Sequence, residues 1–127
     1  MIETLHEAQG AAAEVFDKAK EALRRLVASG DFDQHQHSAH GLSWLATYVD
    51  TMKALSAYAA RLSAVGKLGE VERLLASVAV GEYLHQVAGG IPMHQTEFFR
   101  VASLGVSVDA LLSCRLFPGA HTPVPPP

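Results

Sequence analysis

Two groups of ionisable side chains in this sequence have types and spacing that could do chemistry. The first lies in DQHQHSAHGLSW, where His35, His37 and His40 crowd together. Residues three apart face the same way on a helix, so His37 and His40 could act together, with Trp44 one turn beyond. Three or four imidazoles with a vacant position suit zinc or another divalent transition metal, and His35, His37, His40 and His94 are the candidate ligands. No H-E-x-x-H signature and no nearby cysteine accompanies them. The plainer alternative is that these histidines cap helix ends and line a polar rim.

The second group is Glu82-Tyr83-Leu84-His85, a Glu-x-x-His run with the spacing used in di-iron carboxylate bundles. That chemistry needs a second such run and further glutamates from other helices. Only one such run is found in the chain, and the second helical segment offers only Asp50, on its polar face. Glu82 and His85 extend an apolar arc formed by Leu68, Val71, Leu74, Leu75 and Val78, while Val80, Leu84 and Val87 cover the reverse face. Both polar groups are therefore expected to be partly desolvated, and a buried charge must be paired or neutralised. A protonated Glu82 beside a neutral His85 could serve as acid and base without a cofactor. The simpler reading is a Glu–His or Glu–Tyr pair that satisfies itself between helices.

Helical periodicity must position both groups. From Glu3 to Ser29, the apolar residues Leu5, Ala8, Ala12, Val15, Ala19, Leu23 and Leu26 step by three and four. Early acids and late bases suit the helix dipole, and Gly30 follows as a stop. A second segment from His37 to Ala64 carries the stripe Leu42, Leu45, Val49, Met52, Leu55, Ala59 and Leu62. The short break at Val65-Gly66-Lys67 predicts an antiparallel third segment, Leu68 to Val87, ended by Gly89-Gly90 and Pro92. A hairpin about Gly66 sets His40 level with Pro92 and Glu82 level with Asp50. His35, His37, His40 and His94 are therefore expected to converge at one end of the bundle, with Glu82 and His85 in a deeper layer beside Trp44 and Tyr48. Beyond that, a short helix from Thr96 to Leu104 and another from Ser107 to Leu116 are expected, with no strand. The proline-rich residues 118–127 are expected to be disordered, leaving one domain over residues 1–117. The fold class is all-α, an up-down bundle of about four helices.

Composition bounds the function classes. The 127 residues are 49% hydrophobic and 18% charged, with a formal net charge of -3, which excludes disorder and leaves no basic footprint for nucleic acid or a membrane surface. One cysteine, Cys114, rules out an internal disulfide and fits a reducing compartment, so a cytoplasmic location is expected. Cys114 has no positioned base and is expected to be a small buried residue. No Ser/His/Asp arrangement and no glycine-rich phosphate loop is present.

The runs QH-x-x-HG-x-x-WLATYV (from Gln36) and GEYL-x-Q-x-x-GGIPM (from Gly81) resemble the helical extension that precedes the catalytic core in acyl-CoA dehydrogenase flavoproteins of the methylsuccinyl-CoA dehydrogenase type. The likeness covers about Gln36 to Gly105. Separately, Gln86-Val87-Ala88-Gly89-Gly90 is similar to the Gln-x-x-Gly-Gly element of that family's C-terminal bundle, which lies against the partner subunit's flavin nucleotide. The flavin domain, the β-domain and the catalytic carboxylate loop of the family have no counterpart, so no flavin is expected in this chain alone. His85 and His94 stand where the resemblance implies small or uncharged residues. With its initial Met and proline-rich end, the chain is expected to be a free-standing relative.

Two functions follow. The first is a non-catalytic helical module that forms a homo-oligomer or assembles with an acyl-CoA dehydrogenase-like flavoprotein. The second is a small-molecule site, binding or enzymatic, with Glu82 and His85 as the catalytic pair. Its binding residues would be His37, His40, Trp44, Tyr48, Tyr83, Gln86, Met93 and His94.

Overall fold

The computed structural model describes residues 1–116; the tail expected to be disordered, 118–127, lies outside the described residues. Three long helices carry the fold: α1 (Ile2–Ser29), α2 (Gln36–Ala64) and α3 (Glu70–Gly89). A 3-10 turn (Phe32–His35) links α1 to α2. After α3 come the strands β1 (Ile91–His94) and β2 (Glu97–Phe99), a 3-10 turn (Val101–Leu104) and a short helix α4 (Asp109–Leu112). The all-α bundle expected from the periodicity is the observed architecture.

Every predicted stripe residue of α1 except Leu26 is buried, and four of these are not larger than alanine or valine: Ala8, Ala12, Val15 and Ala19. Small residues let α1 lie close against α2 and α3, so dispersion contacts replace long side chains. From α2, Leu45, Val49, Met52 and Ala59 complete this core. The turn at Gly66 is a Schellman motif. Gly66 sits in the left-handed region at φ 68°. Its N–H bonds Ser63 O at 3.1 Å, and Lys67 N–H bonds Leu62 O at 2.8 Å. These bonds satisfy the carbonyls orphaned at the end of α2 and reverse the chain.

Two expectations fail. Where Thr96 was expected to start a helix, an antiparallel hairpin forms instead, pairing Ile91 with Phe99, Pro92 with Phe98 and His94 with Glu97. Its turn is Gln95-Thr96, with Gln95 at φ 43°, a conformation usually supplied by Gly, Asn or Asp. The hairpin is stable because it folds onto α2: Phe99 is 1% exposed. A Cβ added to Gly41 would land inside the Phe99 ring and 2.6 Å from Phe99 Cβ. Gly41 therefore acts as the notch that receives Phe99. The second helix expected here shrinks to α4, whose Asp109 N–H is bonded by Ser107 Oγ at 3.1 Å.

The larger correction concerns α3. The face turned to the core is Ala76, Val80, Leu84 and Val87. The bulkier arc is on the outside: Val71, Leu74, Leu75 and Val78 are 64%, 58%, 66% and 62% exposed. Both arcs are apolar, so periodicity alone could not say which one faced inward. Close packing against the alanine-lined α1 favours the narrower one.

Candidate functional site

Along α2, one turn at a time, His40, Trp44 and Tyr48 form a ladder that leans onto α3. Trp44 Nε1–H donates to His40 Nε2 at 3.1 Å. The Trp44 and Tyr48 rings meet edge to face with centroids 6.5 Å apart. Tyr48 then contacts Tyr83 of α3 at 4.7 Å between centroids. Its hydroxyl donates to Gln86 Oε1 at 2.6 Å. Edge-to-face and tilted aromatic pairs of this kind add about 0.5–1.5 kcal/mol beyond area burial. Tyr48 thus opposes residues 83 and 86 across the hairpin about Gly66.

Burial, with a smaller contribution from Tyr83, pushes the Tyr48 hydroxyl above its ordinary pKa. It stays a donor, which is what the Gln86 oxygen requires. Gln86 and the following Gly89-Gly90 close the helix, with Gly90 N–H bonding Gln86 O at 2.8 Å. Tyr48 takes up the Gln86 side-chain oxygen, so within this Gln-x-x-Gly-Gly element the glutamine is engaged by α2 while Gly89 stays exposed.

The histidines do not converge. His37 Nε2 lies 3.2 Å from Phe98 O. A carbonyl can only accept, so Nε2 of His37 carries the proton. In His40 the same atom accepts from Trp44, so its neutral ring carries the proton on Nδ1. His94 is on β1, paired across the hairpin with Glu97. His35 ends the 3-10 turn. His37 and the hairpin do share one end of the bundle, as expected. However, no group of three or more His, Cys, Asp or Glu side chains placed to hold a metal ion occurs among the described residues.

Glu82 and His85 are exposed, which overturns the expected desolvated layer beside Trp44 and Tyr48. They border a shallow groove of about 420 Å³ on the outer face of α3, together with Val78, Gly81 and Leu116. The angular reason is the one that exposes Val78: Glu82 and His85 continue the outward arc by one and two turns. On α2, the side chains His40, Ser43, Trp44 and Thr47 line a second groove of about 260 Å³. Met93 is half-buried on the hairpin. The role of Tyr48 and Gln86 as a bonded pair was missed in the sequence, although hairpin symmetry about Gly66 already put them at nearly the same level.

Cys114 is the small buried residue expected, at 2% exposure. Its Sγ–H donates to Ala110 O at 3.3 Å. Burial, then the Glu7 carboxylate, pushes its thiol pKa upward, away from the thiolate that nucleophilic chemistry needs. Glu7 also pairs with Arg115 at 3.0 Å, tying the end of the described chain to α1. No described helix is long and apolar enough to cross a membrane.

No family model matches the chain. The chain is 43% identical over 100 residues to (2S)-methylsuccinyl-CoA dehydrogenase of Cereibacter sphaeroides. That match takes in 74% of this chain and spans only 18% of the relative's length. The chain is therefore similar to one part of an acyl-CoA dehydrogenase-like protein and spans less than a fifth of that relative's length.

Proposed function

We propose that this chain is an acyl-CoA dehydrogenase-like helical module that acts in assembly, with itself or with a flavoprotein of that type, and carries no flavin chemistry of its own. The observation that carries this reading is the 43% identity confined to 18% of a dehydrogenase. A segment so similar, yet matched to so small a part, corresponds to a packing unit rather than to a whole catalytic machine. The geometry supports the reading. The polar side chains of the ladder are engaged with one another, and the bulk of one helix face is apolar and uncovered.

The test is direct. The purified chain is mixed with methylsuccinyl-CoA dehydrogenase from which the matching stretch has been removed. Flavin absorbance should co-elute with the chain in gel filtration. Loss of association in both the mixture and the chain alone, at micromolar concentration, rejects the reading.

The groove at His40 and Trp44, where an aromatic wall meets a fixed imidazole, favours a second reading as a small-molecule site. Its residues would be His37, His40, Trp44, Tyr48, Tyr83, Gln86, Met93 and His94, with Glu82 and His85 as the acid–base pair. Elemental analysis of the pure protein and of His37→Ala tests the version that uses a divalent metal. If Glu82→Gln and His37→Ala leave every measurable binding and turnover unchanged, the small-molecule reading fails.

A further inference from the structure

One hydroxyl of α2 stands apart from its neighbours. Ser43, Thr47 and Thr51 each turn their hydroxyl back onto a carbonyl of the same helix. Ser56 does not. It is 6% exposed, and its side chain has no hydrogen-bond partner among the described residues. No fully enclosed polar side-chain atom among the described residues is left without a partner, so the Ser56 oxygen keeps an opening to solvent. That opening is a groove of about 330 Å³ between α1 and α2, which Ser56 lines. A hydroxyl so nearly buried and unbonded is unfavourable until something enters the groove to accept its proton.

Two helical stripes build the groove. From α1 come Ile2, His6 and Gln9, and from α2 come Lys53, Ser56, Ala57 and Ala60. Steps of three and four put each set on one face of its helix. The trough exists because Ser56, Ala57 and Ala60 are too small to fill the space between the helices. Its volume falls at the lower end of small-ligand pockets, about 300–1,000 Å³. The helices run antiparallel across the link 30–35, so Gln9 lies toward Lys53 and Ile2 toward Ala60. The groove therefore has a polar end at Gln9, Lys53 and Ser56, and an apolar end at Ile2, Ala57 and Ala60.

Charge selects the occupant. Lys53 is exposed and has no ion-pair partner among the described residues. No carboxylate is among the described residues that line the groove. One permanent cation beside one free hydroxyl suits a monovalent anion, because the ammonium and the Ser56 O–H can each donate to the same carboxylate.

We propose that this groove is a binding site for a small amphipathic carboxylate. Its head accepts from Lys53 and Ser56, and its carbon chain lies over Ile2, Ala57 and Ala60. The site shares no residue with the groove at His40 and Trp44, and it goes beyond the assembly reading without depending on it.

Calorimetric titration of the full chain with octanoate tests it. The wild type should bind one octanoate per chain with a dissociation constant of about 1 mM or tighter. Shortening the acid to hexanoate should weaken binding about fivefold, as two methylenes leave the apolar end. Lys53→Gln and Ser56→Ala should each weaken octanoate binding about fivefold. Ala57→Leu fills the trough and should abolish binding; Ala57 is exposed, so the fold is retained. Without ligand, Ser56→Ala should unfold at the same urea concentration as the wild type or a higher one, because no bond is lost.

No binding at concentrations about tenfold above that constant overturns the proposal. Binding unchanged by Lys53→Gln and Ala57→Leu takes place elsewhere on the molecule and overturns it too. Inorganic phosphate that binds as tightly as octanoate reveals an anion site without an apolar end, which is a different site from this one. A Ser56→Ala variant that loses stability without ligand shows a hydroxyl already satisfied within the protein and removes the basis of the proposal.

Discussion

Tyr48 and Gln86 meet across the α2–α3 hairpin, the phenol donating to the amide oxygen at 2.6 Å. This bond fixes the register of the two helices at the level where the aromatic ladder crosses from one to the other. Replacing Tyr48 by Phe keeps the ring packed on Tyr83 and removes only the hydroxyl. Gln86 is half-buried and can turn its amide toward water. The expected loss is about 1 kcal/mol of stability, measured by urea unfolding.

The same hydroxyl predicts a pH dependence. Its folded pKa lies above the ordinary value near 10 because burial, and then Tyr83, disfavour the phenolate. The unfolded chain therefore loses its proton first. The stabilisation is complete below the ordinary value and falls as the pH rises through it toward the folded one. Cys114 acts with the same sign and begins lower, near pH 9, because burial and Glu7 raise its thiol pKa. The urea midpoint should decline from about pH 9 upward, and Tyr48→Phe combined with Cys114→Ala should flatten that decline. An unchanged slope in the double variant rejects the assignment.

Two helical glycines should respond to alanine with opposite signs. At Gly10 an added Cβ meets nothing within 4 Å. Gly10→Ala should therefore stabilise by about 0.5–1 kcal/mol, the propensity difference alone. At Gly41 the Cβ collides with the Phe99 ring. Gly41→Ala should destabilise by about 1–3 kcal/mol because the hairpin must move away from α2. Thermal melts of the two variants give the comparison, and equal signs would contradict the notch.

Trp44 is the only tryptophan, so its fluorescence reports one site. His40→Ala removes the acceptor of its indole N–H and opens the groove wall to water. The emission maximum should shift to longer wavelength without loss of helical circular dichroism. A spectrum identical to the wild type would mean that the His40–Trp44 bond is not formed in solution.

The three long helices, their near-correct limits and the antiparallel turn at Gly66 were legible because each depends on local signals. A stripe with helical period, a glycine stop and a short break need no knowledge of the rest of the chain. Cys114 was legible for a similar reason: with no base nearby, a lone cysteine is most simply a small buried residue. The hairpin was not, because its strands are three or four residues long and its turn uses Gln95-Thr96. What holds it is Phe99 in the Gly41 notch, a contact between residues 58 apart.

For the candidate site, sequence spacing put Trp44 one turn beyond His40 on α2, the step at which the structure bonds the two. It could not choose between the two apolar arcs of α3. Both Val71–Leu75–Val78 and Ala76–Val80–Leu84 satisfy the helical period, and about half a turn of the helix about its axis exchanges them. The choice belongs to packing: α1 presents alanines, and a helix approaching them closely fits best with its narrower side. That decision carried Glu82 and His85 to the surface, left Tyr83 and Gln86 for Tyr48, and exposed Val71, Leu74, Leu75 and Val78. Periodicity within a helix is a property of the chain alone, whereas the face a helix buries depends on the shape of its neighbours.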